Sequence, residues 1–235
     1  CYWCAFNSTR VLATLVNEVI VCVSPRHMVA FVTLEVSIDG ARSFTASGLD
    51  YEFTVSTLTS VTPQQGPVLG GSMVTIMGHN IYPPCKFCLH VERSMWCAFN
   101  GIGAVEASYD SPSQVQCRTP SSNHSGTVHV QLSIGGATFD GGVNFVYQLT
   151  PRVERIDPVM AMLEGGTLVS LYGENFVNSG DVLCAFGENV VIADVHTATR
   201  VQCKTPQLYE GYHEVRITTN GQEYFHDGVM IEAIP

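Results

Sequence analysis

The clearest alternation of apolar and polar positions lies in Thr127-Val128-His129-Val130-Gln131-Leu132-Ser133-Ile134. Val128, Val130, Leu132 and Ile134 share one face there, so the pattern predicts a strand with one side on a core and the other in water. Residues 31–38 and 212–219 carry matching patterns, and all three end in a pair suited to a tight turn: Asp39-Gly40, Gly135-Gly136 and Asn220-Gly221. Such pairs predict type I′ hairpins. A final strand is predicted after each, over 49–53, 143–147 and 229–231. No stretch shows a convincing 3.6-residue apolar period, and many short strands separated by Gly and Pro indicate β-sandwiches.

These strands recur because the chain repeats itself. Cys-Ala-Phe occurs at Cys4, Cys97 and Cys184, and a second cysteine follows each just before a proline. Those partners sit in Cys22-Val23-Ser24-Pro25, Cys117-Arg118-Thr119-Pro120 and Cys203-Lys204-Thr205-Pro206. A repeat of roughly 90 residues divides the 235-residue chain into two full units and a truncated one. The expected boundaries are 1–57 for the C-terminal part of a first unit, 58–149 for the second and 150–235 for the third.

Composition narrows the setting. Nine cysteines, six of them in the repeating pattern, fit an oxidising compartment, so the expected location is extracellular, secreted or on a cell-surface ectodomain. Two sequons, Asn7-Ser8-Thr9 and Asn123-His124-Ser125, point the same way and make Asn7 and Asn123 candidate N-glycan sites. A net charge of −10 with 11 Lys and Arg argues against a nucleic-acid partner or an anionic membrane surface. The longest apolar stretch, 11–23, is interrupted by Asn17 and Glu18, so no direct membrane insertion is expected.

The starts of the units carry the most specific signal. Val61-Thr62-Pro63 is followed by Gly70-Gly71-Ser72, an alternating strand, and Gly78-His79-Asn80. The series returns 95 residues later as Ile156-Asp157-Pro158, Gly165-Gly166-Thr167 and Gly173-Glu174-Asn175. Pro, a spacer, Gly-Gly-Ser/Thr, a strand and Gly-x-Asn resemble the opening of IPT/TIG domains, and the Cys-Ala-Phe and Cys-x-Thr-Pro segments resemble that family's middle strands. The resemblance covers essentially the whole chain, with the first unit lacking the Gly-Gly opening. It implies an all-β fold of tandem immunoglobulin-like (IPT/TIG, early-set type) β-sandwiches, as in plexins, Met-type receptors and fibrocystin-like proteins.

Each motif also has a structural reading. Paired glycines permit an unusual turn and proline fixes φ at a strand entry. Period-2 geometry puts Cys97 and Phe99 on one face and Val115 and Cys117 on one face of a later strand, so the two cysteines can meet inside a sandwich. The same arithmetic gives three expected bonds: Cys4 to Cys22, Cys97 to Cys117 and Cys184 to Cys203. Cys85 and Cys88, in a Pro-rich insertion, are read as a structural staple, with pairing to a neighbouring chain as the alternative; a redox role lacks the βαβ setting it needs. Cys1 is left over, its partner either upstream in the parent chain or in another chain.

Other chemistry finds no footing. The eight histidines are scattered and read as solvent-exposed, no EF-hand pattern is present, and Gly-Gly-Ser/Thr precedes a strand rather than a helix. No catalytic residue, metal or cofactor is assigned. The candidate partner contacts are Trp3 and Trp96, which alternation puts opposite the cysteine face, with Phe87 and Cys1; stacking of the tryptophans on a neighbouring strand or loop is the competing account. Short junctions at 53–61 and 146–153 predict a semi-rigid rod. The functional expectation is a non-catalytic structural or adhesive segment of a large extracellular glycoprotein, binding other chains or further domains of its own and including filament-forming proteins; the alternative is the stalk of a receptor similar to plexins or Met.

Overall fold

The computed structural model describes residues 1–82 and 94–235. Among them there is no helix, and the strands fall into three sheets. The first sheet comprises β1 (Tyr2–Phe6), β2 (Thr9–Val16), β3 (Val19–Cys22), β4 (Ala30–Ser37) and β5 (Leu49–Phe53) in the order β3-β2-β1-β4-β5. Next in the chain come β6 (Thr57–Thr62), β7 (Gln65–Pro67), β8 (Met73–His79), β9 (Met95–Phe99) and β10 (Gly103–Ser111). With β11 (Gln114–Arg118), β12 (Gly126–Ile134), β13 (Ala137–Phe139) and β14 (Asn144–Gln148) they give the order β6-β8-β11-β10-β9-β12-β14-β7, with β13 on β12.

The third sheet repeats that path. It contains β15 (Arg152–Asp157), β16 (Met160–Met162), β17 (Leu168–Glu174), β18 (Leu183–Phe186), β19 (Asn189–Thr197), β20 (Arg200–Lys204), β21 (Gly211–Thr218) and β22 (Met230–Ile234), ordered β15-β17-β20-β19-β18-β21-β22-β16. The first sheet matches the third to seventh positions of this path.

Each path closes around a core because long strands change partner along their length. The first half of β10 pairs with β9 and the second half with β11, and the pairing with β11 carries a register shift between Tyr109 and Ser111. In the third unit β19 shifts between Val195 and Thr197, and β6 and β15 carry shifts at Leu58/Ser60 and Val153/Arg155. Extra residues of this kind bend a strand and raise its twist. Inside lie Val61, Ile76, Phe99, Leu132, Phe145 and Tyr147 in the second unit and Val169, Leu171, Phe186, Val201, Ile217 and Ile231 in the third. The first unit's core is smaller, built on Cys4, Phe6, Ala13 and Val32.

The three tight-turn pairs do not behave alike. Gly135 and Gly136 both have positive φ (57° and 86°), and Ile134 pairs with Ala137, as a two-residue type I′ hairpin requires. The other two depart from the expected I′ form, with only Gly40 and Gly221 of each pair at positive φ. Side chains close those turns instead. Asp39 accepts from the backbone of Arg42 and Ser43, and Asn220 from that of Gln222 and Glu223, which removes the need for a continued ladder.

Candidate functional site: disulfide cores, motif contacts and the junction between units

Cys4 and Cys22, Cys97 and Cys117, and Cys184 and Cys203 are disulfide-bonded, with Cα separations of 6.3, 6.4 and 6.4 Å. Each bond joins the two strands that flank a third: β9 and β11 flank β10, and the same holds for β1 and β3 and for β18 and β20. Cys97, Phe99, Val115 and Cys117 are all buried on the shared inner face. Cys1 is a free, exposed thiol whose carbonyl accepts from the Gly40 amide. Cys85, Phe87 and Cys88 lie outside the described residues.

The two tryptophans differ. Trp96 is 37% exposed on the outer face of β9, beside Glu106 and Ser133, whereas Trp3 is half-buried between Leu12 and Ser37. Asn7 is exposed in the β1–β2 turn, where its Oδ1 accepts from the Thr33 amide and hydroxyl. Asn123 is exposed between β11 and β12. The histidines are less uniform than their scatter suggests, since His129 and His213 are half-buried and hydrogen-bonded. His129 lies between Asp140 Oδ1 (2.6 Å from Nε2) and Asn144 Oδ1 (3.2 Å from Nδ1). Acceptors at both ring nitrogens favour the imidazolium, so the His129 pKa is raised, through Asn144 first and Asp140 second. The Gly142 amide, Gln131 and His129 together hold Asp140 down at about 2. Among the described residues no cluster of three His, Cys, Asp or Glu side chains is placed to hold a metal.

Geometry gives the repeat motifs work that their spacing did not reveal. The Gly-Gly opening and the Cys-x-Thr-Pro segment, far apart in sequence, form one structure: Gly71 donates to the Thr119 carbonyl, Thr119 to that of Ser72, and Ser122 to that of Val68. The third unit repeats these bonds as Gly166 to Thr205, Thr205 to Thr167 and Leu208 to Leu163. A Cβ at Gly70 would stand 2.6 Å from the Pro120 carbonyl, and one at Gly165 the same distance from that of Pro206, so only glycine fits.

Gly-x-Asn has a second role. Gly78 lets the Thr57 carbonyl approach and Gly173 that of Arg152. Asn80 and Asn175, both left-handed (φ 55° and 62°), donate their amides to the carbonyls of Val55 and Thr150 in the preceding linker. Each junction is thereby bonded into the unit it leads to.

The second and third units also touch directly. Gln222 makes a two-point contact with the start of β8: its Oε1 accepts from the Met73 amide and its Nε2 donates to the Met73 carbonyl, both at 2.8 Å. Ser72 Oγ, fully buried, donates to Glu223 Oε2 at 2.9 Å and accepts from Asn220 Nδ2 at 3.1 Å. Gln148 donates to Gln65, which donates onward to the Thr219 carbonyl at 3.4 Å. The tip of the third unit's β21–β22 connection therefore rests on the β7–β8 turn of the second. Sequence reading marked Asn220-Gly221 only as a turn. The available signal was the contrast between its polar continuation, Gln222-Glu223, and the Ala137-Thr138 that follows Gly135-Gly136.

These features define a class: immunoglobulin-like β-sandwiches in tandem, each with an internal disulfide, an extracellular arrangement. The chain belongs to the IPT/TIG domain family, whose model matches residues 56–147 and 151–230. Mouse plexin-A2 is 31% identical over 172 residues, covering 72% of this chain and 9% of the relative. Human plexin-A4 is 26% identical over 216 residues (88% and 11%), and human fibrocystin-L 26% over 192 residues (80% and 4%). The fold matches that of the plexin A4 extracellular region with a TM-score of 0.59 at 17% identity, covering 99% of this chain and 21% of that one. The chain thus spans about a tenth of the plexins it resembles.

Proposed function

We propose that this segment is part of the stalk of a plexin-like receptor ectodomain, a non-catalytic, semi-rigid run of immunoglobulin-like units that holds flanking domains at a set spacing and direction. Its units are taken as 1–57, 58–149 and 150–235. The observation that carries the reading is the junction itself, where Asn80 and Asn175 bond the linkers and Gln222, Asn220 and Glu223 join the third unit to the second. Similarity to plexins over most of the chain supports it. N-glycans at exposed Asn7 and Asn123 and partner contact at Trp96 belong to the same proposal. So does a bond between Cys85 and Cys88.

An adhesive or filament-forming glycoprotein is the second reading, which a tandem array of like units would equally serve. Light scattering of this segment, beside electron microscopy of the parent material, separates the two. Monomeric rods exclude the filament and leave the stalk or an adhesin; filaments with a period commensurate with the units overturn the stalk.

A further inference from the structure

The seat that receives the third unit's tip recurs, uncovered, on the third unit itself. In the second unit it consists of Gln65, Gly66, Ser72 and Met73; 95 residues later the same places are held by Met160, Ala161, Thr167 and Leu168. Register confirms the equivalence. Strand β7 runs parallel to β14 with Gln65 opposite Val146, and β16 runs parallel to β22 with Met160 opposite Glu232.

Backbone direction is equivalent too. Ser72 turns its carbonyl to the Thr119 amide, which leaves the N–H and C=O of Met73 pointing outward to Gln222. Thr167 accepts from the Thr205 amide and donates its own to Thr205 Oγ1, so the N–H and C=O of Leu168 point outward in the same way. Pairing of β17 with β15 begins only at Ser170, as pairing of β8 with β6 begins at Thr75, so neither outward position is covered by a neighbouring strand.

Around Leu168 the surface differs from its counterpart in being apolar. A groove of about 230 Å³ is lined by Met160, Ala161, Met162, Thr167 and Ile234. Met160, Met162 and Leu168 are 49, 53 and 56% exposed. Methionine walls adapt to an incoming side chain, and an outward N–H and C=O on one residue match a side-chain carboxamide.

We propose that this groove is a docking seat for the loop tip of a further immunoglobulin-like unit, whose Gln or Asn pairs with the Leu168 backbone while an apolar neighbour fills the space between Met160 and Met162. The proposal rests on the stalk reading and extends it. Ile234 stands where Gln148 stands in the second unit, four residues before Arg152 opens the next, so a unit joined by an equally short linker presents its tip to this seat.

The test lengthens the full chain with a second copy of residues 150–235 placed directly after Pro235, in one form with the native tip and in another with Glu223→Leu in the appended copy. Docking slows amide exchange at Leu168 by about tenfold or more. The expected result is that slowing, greater with Glu223→Leu, and its loss when Gln222→Ala is made in the appended copy alone. If neither form slows Leu168 while the Met73 amide stays protected, the seat is refuted and the stalk reading stands. If Met73 exchanges as an open amide in the starting chain, the rigid junction falls, and the seat with it.

Discussion

Asn220 Nδ2 lies 3.1 Å from the Oγ of Ser72, 148 residues earlier in the chain, and 2.8 Å from Oε2 of Glu223 in its own loop. One buried amide therefore orients both the tip of the third unit and the hydroxyl that receives it. Asn220→Ala leaves Ser72 and Glu223 with one fewer partner, and losing a bond of this kind costs about 1–3 kcal/mol. The expected outcome is a junction that reorients freely, with faster exchange at the Met73 amide and a second-to-third unit orientation that no longer fits one set of residual dipolar couplings. An unchanged orientation would show that the linker alone sets the angle.

The disulfides make a quantitative prediction. Each closes a loop of 18 to 20 residues, and a loop of that size contributes about 3 kcal/mol through its effect on the unfolded chain. Replacing Cys184 and Cys203 together by Ala should lower the stability of the third unit by about that amount in chemical denaturation. Non-reducing peptide mapping should recover Cys97 with Cys117 and Cys184 with Cys203; a Cys97–Cys184 peptide would contradict the repeat.

Gly173→Ala and Gly103→Ala separate close approach from ordinary strand propensity. A Cβ at Gly173 collides with the Arg152 carbonyl, whereas one at Gly103 meets open space. The first should cost about 2 kcal/mol or more and the second about 0.5 kcal/mol or less. Thermal unfolding of the two variants measures the difference, and equal values would remove the steric account of Gly-x-Asn.

Titration gives a fourth prediction. Asp140 is lowered to about 2, so its contribution is present above the ordinary carboxylate value of 3.8 and is lost as pH falls toward 2. His129 is raised above 6.5, so its contribution is complete below that value and is lost as pH rises through the raised one. The pair therefore steadies the β12–β14 pairing most between about pH 4 and 6.5. Imidazole chemical shifts followed against pH should give His129 a midpoint above 6.5, moving toward 6.5 in Asp140→Asn.

Much of the fold was legible because its signals are local. Alternation through Val128, Val130 and Leu132 decided a strand, and the spacing of Cys97 and Phe99 decided an inner face, both of which depend only on the period of the backbone. The junction was not legible, since the meeting of Ser72 with Asn220 depends on how two folded units lie against each other. The tight turns failed for a related reason. Asp39 and Asn220 suit a type I′ turn by residue type, but their side chains also bond the backbone two to four residues on, and in those two turns that second option won.

Tension applied along the chain meets a particular obstacle in the parallel pairing of β7 with β14 and of β16 with β22. In each full unit the second strand and the last lie side by side and point the same way, so a pull on the two ends slides one past the other. Every cross-link between them is then loaded at once instead of opening in succession. Should a unit yield even so, the 19 residues between Cys97 and Cys117 stay looped and cannot lengthen. Such a segment resists stretch first and limits it afterwards.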